Sequence, residues 1–138
     1  MAQDRSRRTV KVAFICTHNA CRSQMAEALA RQLLPAWAEP CFAGTDPASE
    51  VDPGALAELA RRGIAGQDLS PKPLSAVGVA DWVVTMGCGV SCPALPCRHR
   101  EDWGLEDPMG GPAEGYRACA DAIAEKLLDL GGRLEEEV

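Results

Sequence analysis

An apolar run that ends in a proline-free loop and passes into a helical pattern constrains this chain more than any other feature. Residues 12–23 read Val-Ala-Phe-Ile-Cys-Thr-His-Asn-Ala-Cys-Arg-Ser. The run predicts a buried strand that delivers Cys16 to the mouth of a loop, and the pattern beyond it predicts a helix whose positive dipole end faces that loop. Backbone N–H groups of Thr17, His18, Asn19, Ala20, Cys21 and Arg22 can turn inward there. A loop of this kind cradles a tetrahedral oxyanion against a thiolate.

The Cys-x5-Arg spacing alone proves little, since seven cysteines and eleven arginines in 138 residues produce about one accidental match. A second match does occur, Cys92-Pro-Ala-Leu-Pro-Cys-Arg98. Pro93 and Pro96 each delete an N–H donor, and no helical pattern follows Arg98. The first loop has no proline and leads into residues 23–34, where Met25, Ala28, Leu29, Gln32 and Leu33 form one stripe at helical spacing. Setting, rather than spacing, separates the two.

The remaining pattern alternates strands with helices. A strand is expected over residues 10–16 and a short one over 41–43. Asp52-Pro53 supplies an N-cap and first-turn pair for a helix over 54–62 that stops at Gly63. A short helix is expected over 73–79 and a second clear buried strand over 81–86, carrying Trp82, Val83, Val84 and Thr85. Residues 87–109 read as irregular. A last amphipathic helix over 113–130 places Tyr116, Cys119, Ala120, Ile123, Leu127 and Leu130 on one side and ends at Gly131-Gly132. This alternation favours an α/β fold with a parallel sheet covered on both faces and ligands at the carboxyl ends of the strands. Cys16 and Cys88 both leave such ends. A single domain is expected over 10–132, between a basic tail (1–9) and an acidic tail (133–138).

Composition narrows the function classes. The net charge of -6 argues against a nucleic-acid partner, so an anion has to be captured locally by Arg22 and the loop amides. No apolar stretch is long enough for a membrane span, and no secretory signal pattern is present, which makes the cytoplasm the expected location. Seven cysteines, an odd number, do not suit a disulfide scaffold and point to thiol chemistry or metal binding.

A thiolate nucleophile needs a lowered pKa, and Cys16 has a cation and a helix N-terminus close by in sequence. Arg22 can hold two anion oxygens in a planar fork, and Ser23 can donate a hydrogen bond to the thiolate. Asp107-Pro108 is the candidate general acid, because Pro108 biases Asp107 toward an extended backbone that projects its carboxyl.

Cys16-Thr-His-Asn-Ala-Cys-Arg-Ser-Gln-Met-Ala-Glu-Ala, Phe42-Ala-Gly-Thr, Val83-Val-Thr-Met, Cys92-Pro and Asp102-Trp-Gly-Leu-Glu-Asp-Pro108 occur in that order. Together they resemble the arsenate reductases of the low-molecular-weight protein tyrosine phosphatase superfamily. The resemblance implies a four-stranded parallel sheet with flanking helices. It also implies Cys16 as nucleophile, Arg22 and the loop amides as oxyanion holder, Ser23 as thiolate stabiliser and Asp107 as general acid. Tyrosine phosphatases of this type carry Pro after the Arg-Ser pair and aromatic residues after the Asp-Pro pair. Here Gln24 and Met109-Gly-Gly stand in those places, so a small inorganic anion, arsenate or phosphate-like, is the expected substrate.

In thioredoxin-coupled relatives a second cysteine releases arsenite and a third carries the disulfide outward; Cys88 and Cys92 match those positions. Their spacing puts both thiols on one face if the segment becomes helical. A Cys21/Cys97 turnover disulfide is the other pairing left open, and a Cys16/Cys21 disulfide would protect the nucleophile. Other relatives use mycothiol or glutathione with a glutaredoxin-like partner, so the reductant is either thioredoxin or such a thiol. No bound cofactor or metal is expected. The potassium site of some relatives would map onto Asn19, Glu27 and Asp68, with Phe42 where a hydroxyl residue is expected. A low-molecular-weight phosphatase using Cys16, Arg22 and Asp107 is the alternative. A zinc module built from Cys88, Cys92, Cys97 and His99 is a third reading, which leaves the front loop unexplained.

Overall fold

The computed structural model describes residues 9–17, 21–66, 68–87 and 97–137. Strand β1 (Val10–Cys16) is followed by helix α1 (Arg22–Leu33), strand β2 (Ala38–Gly44), helix α2 (Pro53–Arg61), a 3-10 turn (Leu74–Ala76), strands β3 (Trp82–Thr85) and β4 (His99–Asp102), and helix α3 (Ala113–Glu137). The four strands form one sheet in the order β2-β1-β3-β4, and every pairing is parallel.

The apolar run of β1 takes an inner place because it has no solvent-tolerant face: Val12, Ala13, Phe14 and Ile15 are all 1% exposed or less. Alternate side chains feed two cores. Val12, Phe14 and Cys16 join the larger one with Met25 and Leu29 of α1, Ala55 and Leu59 of α2, and Ile123, Leu127 and Leu130 of α3. Ala13 and Ile15 join a smaller one with Ala43, Val77, Ala80 and Val83, where the 3-10 turn supplies Leu74. Phe14 is opposite Phe42 in register, and their rings stack at 4.9 Å. Trp103 meets Phe14 edge-on at 5.5 Å.

The short helix expected over 73–79 is only a 3-10 turn, and two further elements depart from the sequence expectation. Strand β4 lies inside the stretch expected to be irregular. Its sequence, His-Arg-Glu-Asp, has no apolar period because it is an edge strand with half of its residues exposed. It is held by pairing with β3 and by the His99 ring stacked on Trp82 at 4.4 Å. Helix α3 does not stop at Gly131-Gly132 but runs to Glu137, so residues 133–137 of the expected acidic tail are helical. Leu130 and Leu134 stay in the core on either side of the glycines, and Arg133 forks onto Glu101 of β4 at 2.8 and 3.0 Å. These contacts outweigh the roughly 1 kcal/mol per residue by which glycine disfavours a helix.

Gly54, near the start of α2, faces the Tyr116 ring so closely that any Cβ would overlap it. That approach brings the Tyr116 hydroxyl within 3.0 Å of the Gly110 N–H, which donates to it, and fastens α3 to the loop after Asp107.

Candidate active site

β1 brings Cys16 to the carboxyl edge of the sheet, where a parallel sheet presents its loops. The segment after β2 holds the loop entry: Thr45 N donates to Cys16 O at 3.1 Å and Asp46 N to Thr17 O at 2.7 Å. His18, Asn19 and Ala20 lie outside the described residues, as do Cys88 and Cys92. Cys21 is the residue before α1, whose first residues are Arg22 and Ser23.

Cys16 Sγ and Ser23 Oγ are 2.9 Å apart and buried. Arg22 is buried as well, and its Nη1 donates to two backbone carbonyls, Met86 O and Leu105 O, each at 2.9 Å. Those carbonyls lie just past β3 and in the loop after β4, so the guanidinium spans the mouth of three connections. Its Nη2 is 3.8 Å from Asp107 Oδ2. Asp107 is half-exposed and accepts the Met109 N–H at 3.1 Å, which fixes the Asp-Pro turn. The described residues thus bring together Cys16, Arg22, Ser23 and Asp107, four residues picked from two stretches far apart in sequence.

The other thiols are differently placed. Burial pushes the Cys21 thiol far up; Asp107, Asp52 and Cys119 add to the rise and Arg22 opposes it. Cys119 is raised by burial to about 11, as is Cys41. At neutral pH these three are thiols. Cys16, Cys21 and Cys119 belong to the larger core, whereas Cys41 and Cys97 pack against the smaller one. The sheet therefore stands between Cys21 and Cys97, and a disulfide between them would require the fold to open. Cys119 also lines a cleft of about 400 Å³ between α3 and the loop carrying Leu105, Asp107 and Pro108.

Asp102 is the residue whose role the sequence did not reveal. Its Oδ1 accepts from Thr85 Oγ1 at 2.6 Å and Gly87 N at 2.8 Å, and its Oδ2 from Gly104 N at 3.0 Å. Gly87 has φ +86°, and a Cβ there would lie 2.6 Å from Leu105 N. One carboxylate thus bolts the exit of β3, just before Cys88, to the loop that leads to Asp107.

The zinc reading loses support from the two members that are described: Cys97 packs among apolar side chains and His99 stacks on Trp82. Among the described residues no group of three or more His, Cys, Asp or Glu could hold a metal ion, and no helix is long and apolar enough to cross a membrane.

Comparison with known proteins agrees with this fold. Residues 11–138 match the family model described as low molecular weight phosphotyrosine protein phosphatase. The glutaredoxin arsenate reductase of Synechocystis is 34% identical over 125 residues, covering 87% of this chain and 95% of that protein. A solved arsenate reductase in its phosphate-binding state superposes with a TM-score of 0.82 at 32% identity, covering 91% of this chain and 98% of the other. The thioredoxin-dependent arsenate reductase of Corynebacterium glutamicum superposes with a TM-score of 0.77 at 34% identity, covering 99% of this chain and 68% of that one.

Proposed function

The chain belongs to the low molecular weight phosphotyrosine protein phosphatase family, and from that premise we propose that it is one of the family's arsenate reductases, converting arsenate to arsenite with Cys16 as nucleophile. The observation that carries the choice of a small anion over phosphotyrosine is the placement of the aromatic residues. The chain has six, all described: Phe14, Phe42, Trp82, Trp103 and Tyr116 are buried and Trp37 is half-buried. None is exposed beside Asp107 to flank a phenyl ring, and the exposed neighbour there is Met109.

In the proposed reaction the Cys16 thiolate attacks arsenic, and the As–O bond to the departing oxygen breaks as Asp107 supplies its proton. The remaining N–H groups of Arg22 and the loop amides hold the other oxygens. Pinning Nη1 on Met86 O and Leu105 O keeps the guanidinium in place before substrate arrives, so little reorganisation is needed. A second thiol then attacks Cys16 Sγ. The S–As electron pair stays on arsenic, which leaves as arsenite, and two thiols become one disulfide. Cys88 fills that second role and Cys92 the third, on the grounds of their position after β3, next to the Gly87 turn that Asp102 holds. An external dithiol, thioredoxin or a mycothiol- or glutathione-linked glutaredoxin-like protein, restores the thiols in a reducing cytoplasm.

The test is arsenite formation with a thioredoxin system and, separately, with mycothiol or glutathione plus glutaredoxin. Cys16→Ser should abolish activity, Cys88→Ser should stop at the Cys16–arsenic adduct without releasing arsenite, and Cys92→Ser should leave a single turnover and remove the rest. Efficient phosphotyrosine hydrolysis without any arsenite would overturn the reading in favour of a phosphatase.

A further inference from the structure

A chain of four charged side chains ties α1 to the segment after α2, behind the oxyanion loop. Glu27, nearly buried, receives Arg31 Nη2 on one oxygen at 2.8 Å and Lys72 Nζ on the other at 3.1 Å. Arg31 Nη1 continues to Asp68 Oδ2 at 2.9 Å. The two acidic residues onto which the relatives' potassium site would map, Glu27 and Asp68, are thus joined by a guanidinium, and an ammonium caps the remaining Glu27 oxygen. Phe42, at the place of an expected hydroxyl ligand, is buried and stacked on Phe14. This donor set does not fit a potassium ion. Its carboxylates are engaged by fixed cations, which repel a further positive charge, and one ligand is a benzene ring.

We propose that Arg31 and Lys72 act as a built-in cation that positions the nucleophile's loop, and that this chain works without a monovalent metal ion. A continuous path of bonds leads from the network to Cys16. Lys72 Nζ also donates to Ser70 O at 2.9 Å, and Gln24 Nε2, one residue beyond Ser23, donates to the same carbonyl at 2.8 Å. Lys72 O accepts the Gly44 N–H at 2.8 Å at the end of β2. The next two residues, Thr45 and Asp46, donate their N–H groups to Cys16 O and Thr17 O. The network therefore fixes α1 and the loop entry with respect to each other, which is the task a bound ion would otherwise perform. Arg31 and Lys72 are positioning residues and touch no substrate.

The test uses the whole chain at constant ionic strength in potassium, sodium or choline chloride. Thermal unfolding should give the same Tm in all three, and arsenite formation the same kcat/KM. A specifically bound ion would instead raise Tm by several degrees once its concentration exceeded Kd about tenfold. The Arg31→Met/Lys72→Met double variant should lose on the order of tenfold in kcat/KM in every salt, and Lys72→Arg should keep the activity of the unaltered chain. A saturable rise of Tm or kcat/KM with potassium in the unaltered chain overturns the proposal. So does a double variant with unchanged Tm and kcat/KM. Should the double variant fail to fold, the potassium titration of the unaltered chain decides alone. The kinetic arms rest on the arsenate reductase reading, while the thermal arm does not, so a chain that makes no arsenite in any salt sinks that reading and leaves the cation question to Tm.

Discussion

Ser23 Oγ stands 2.9 Å from Cys16 Sγ, where the serine is 0% and the cysteine 3% exposed. Water cannot replace the hydroxyl at such a place, so the bond is worth most when the sulfur carries charge. Ser23→Ala should leave the fold intact and lower the single-turnover rate about 10- to 100-fold, the equivalent of a charge-assisted bond of roughly 1.5–3 kcal/mol. Stopped-flow measurement of arsenite release checks this, and an unchanged rate would remove Ser23 from the mechanism.

Arg22→Lys tests whether the guanidinium's shape matters beyond its charge. An ammonium cannot span Met86 O and Leu105 O and still face an oxyanion in a fork. The expected result is a fall in kcat/KM on the order of 100- to 1,000-fold with weaker inhibition by phosphate. Phosphate competition that stays as strong as in the unaltered chain would show that charge alone suffices.

The buried Cys21 and Cys119 and the half-buried Cys41 predict an alkaline limit to stability. Cys119 and Cys41 are raised from 9.0 to about 11, and Cys21 is raised as well, chiefly by burial. In the unfolded chain these groups ionise near pH 9, earlier than in the folded one, so the folded state holds more protons above that pH. Stability is full below pH 9 and declines as pH rises through about 11. Urea midpoints at pH 8, 9.5 and 10.5 should fall in that order. Brief iodoacetamide treatment at pH 7.5 should spare the buried Cys21 and Cys119, and fast alkylation of either there would contradict the burial argument.

Glu101 gives the opposite sign in acid. Arg133 forks onto it and Trp103 Nε1 donates at 2.7 Å, which holds its carboxyl below the usual carboxylate range. The stabilisation is present above the unfolded value of 4.5 and is lost as pH falls through the lower folded value. Because the pair is partly exposed, Glu101→Gln should cost about 1 kcal/mol at pH 7, a few degrees in Tm, with the difference shrinking below pH 4. An equal difference at pH 3 and pH 7 would rule out an ionic origin.

Most of the site was legible because its chemistry is local. Cys16, Arg22 and Ser23 fall within eight consecutive residues, and the same residues that make the strand and helix also make the loop. Asp107 was legible only through its proline and the resemblance. Asp102 and the carbonyls of Met86 and Leu105 were not legible, since a backbone oxygen has no sequence signature and an aspartate two residues before a glycine reads as an ordinary turn. Strand β4 was missed for a similar reason: an edge strand made of His, Arg, Glu and Asp takes its conformation from β3, and its side chains show no period of their own.

The chain's local patterns determined a parallel α/β fold and a thiol close in sequence to a buried arginine, because apolar periodicity and loop composition act over a few residues. Long-range packing settled the rest. It carried α3 through Gly131 and Gly132 by burying Leu134 and engaging Arg133 with Glu101, and it put the sheet between Cys21 and Cys97. It also joined Lys72 to Glu27 and Asp68 to Arg31. These outcomes depend on which distant surfaces meet, and the free energy of such meetings is set by shape and charge that no short window of residues contains.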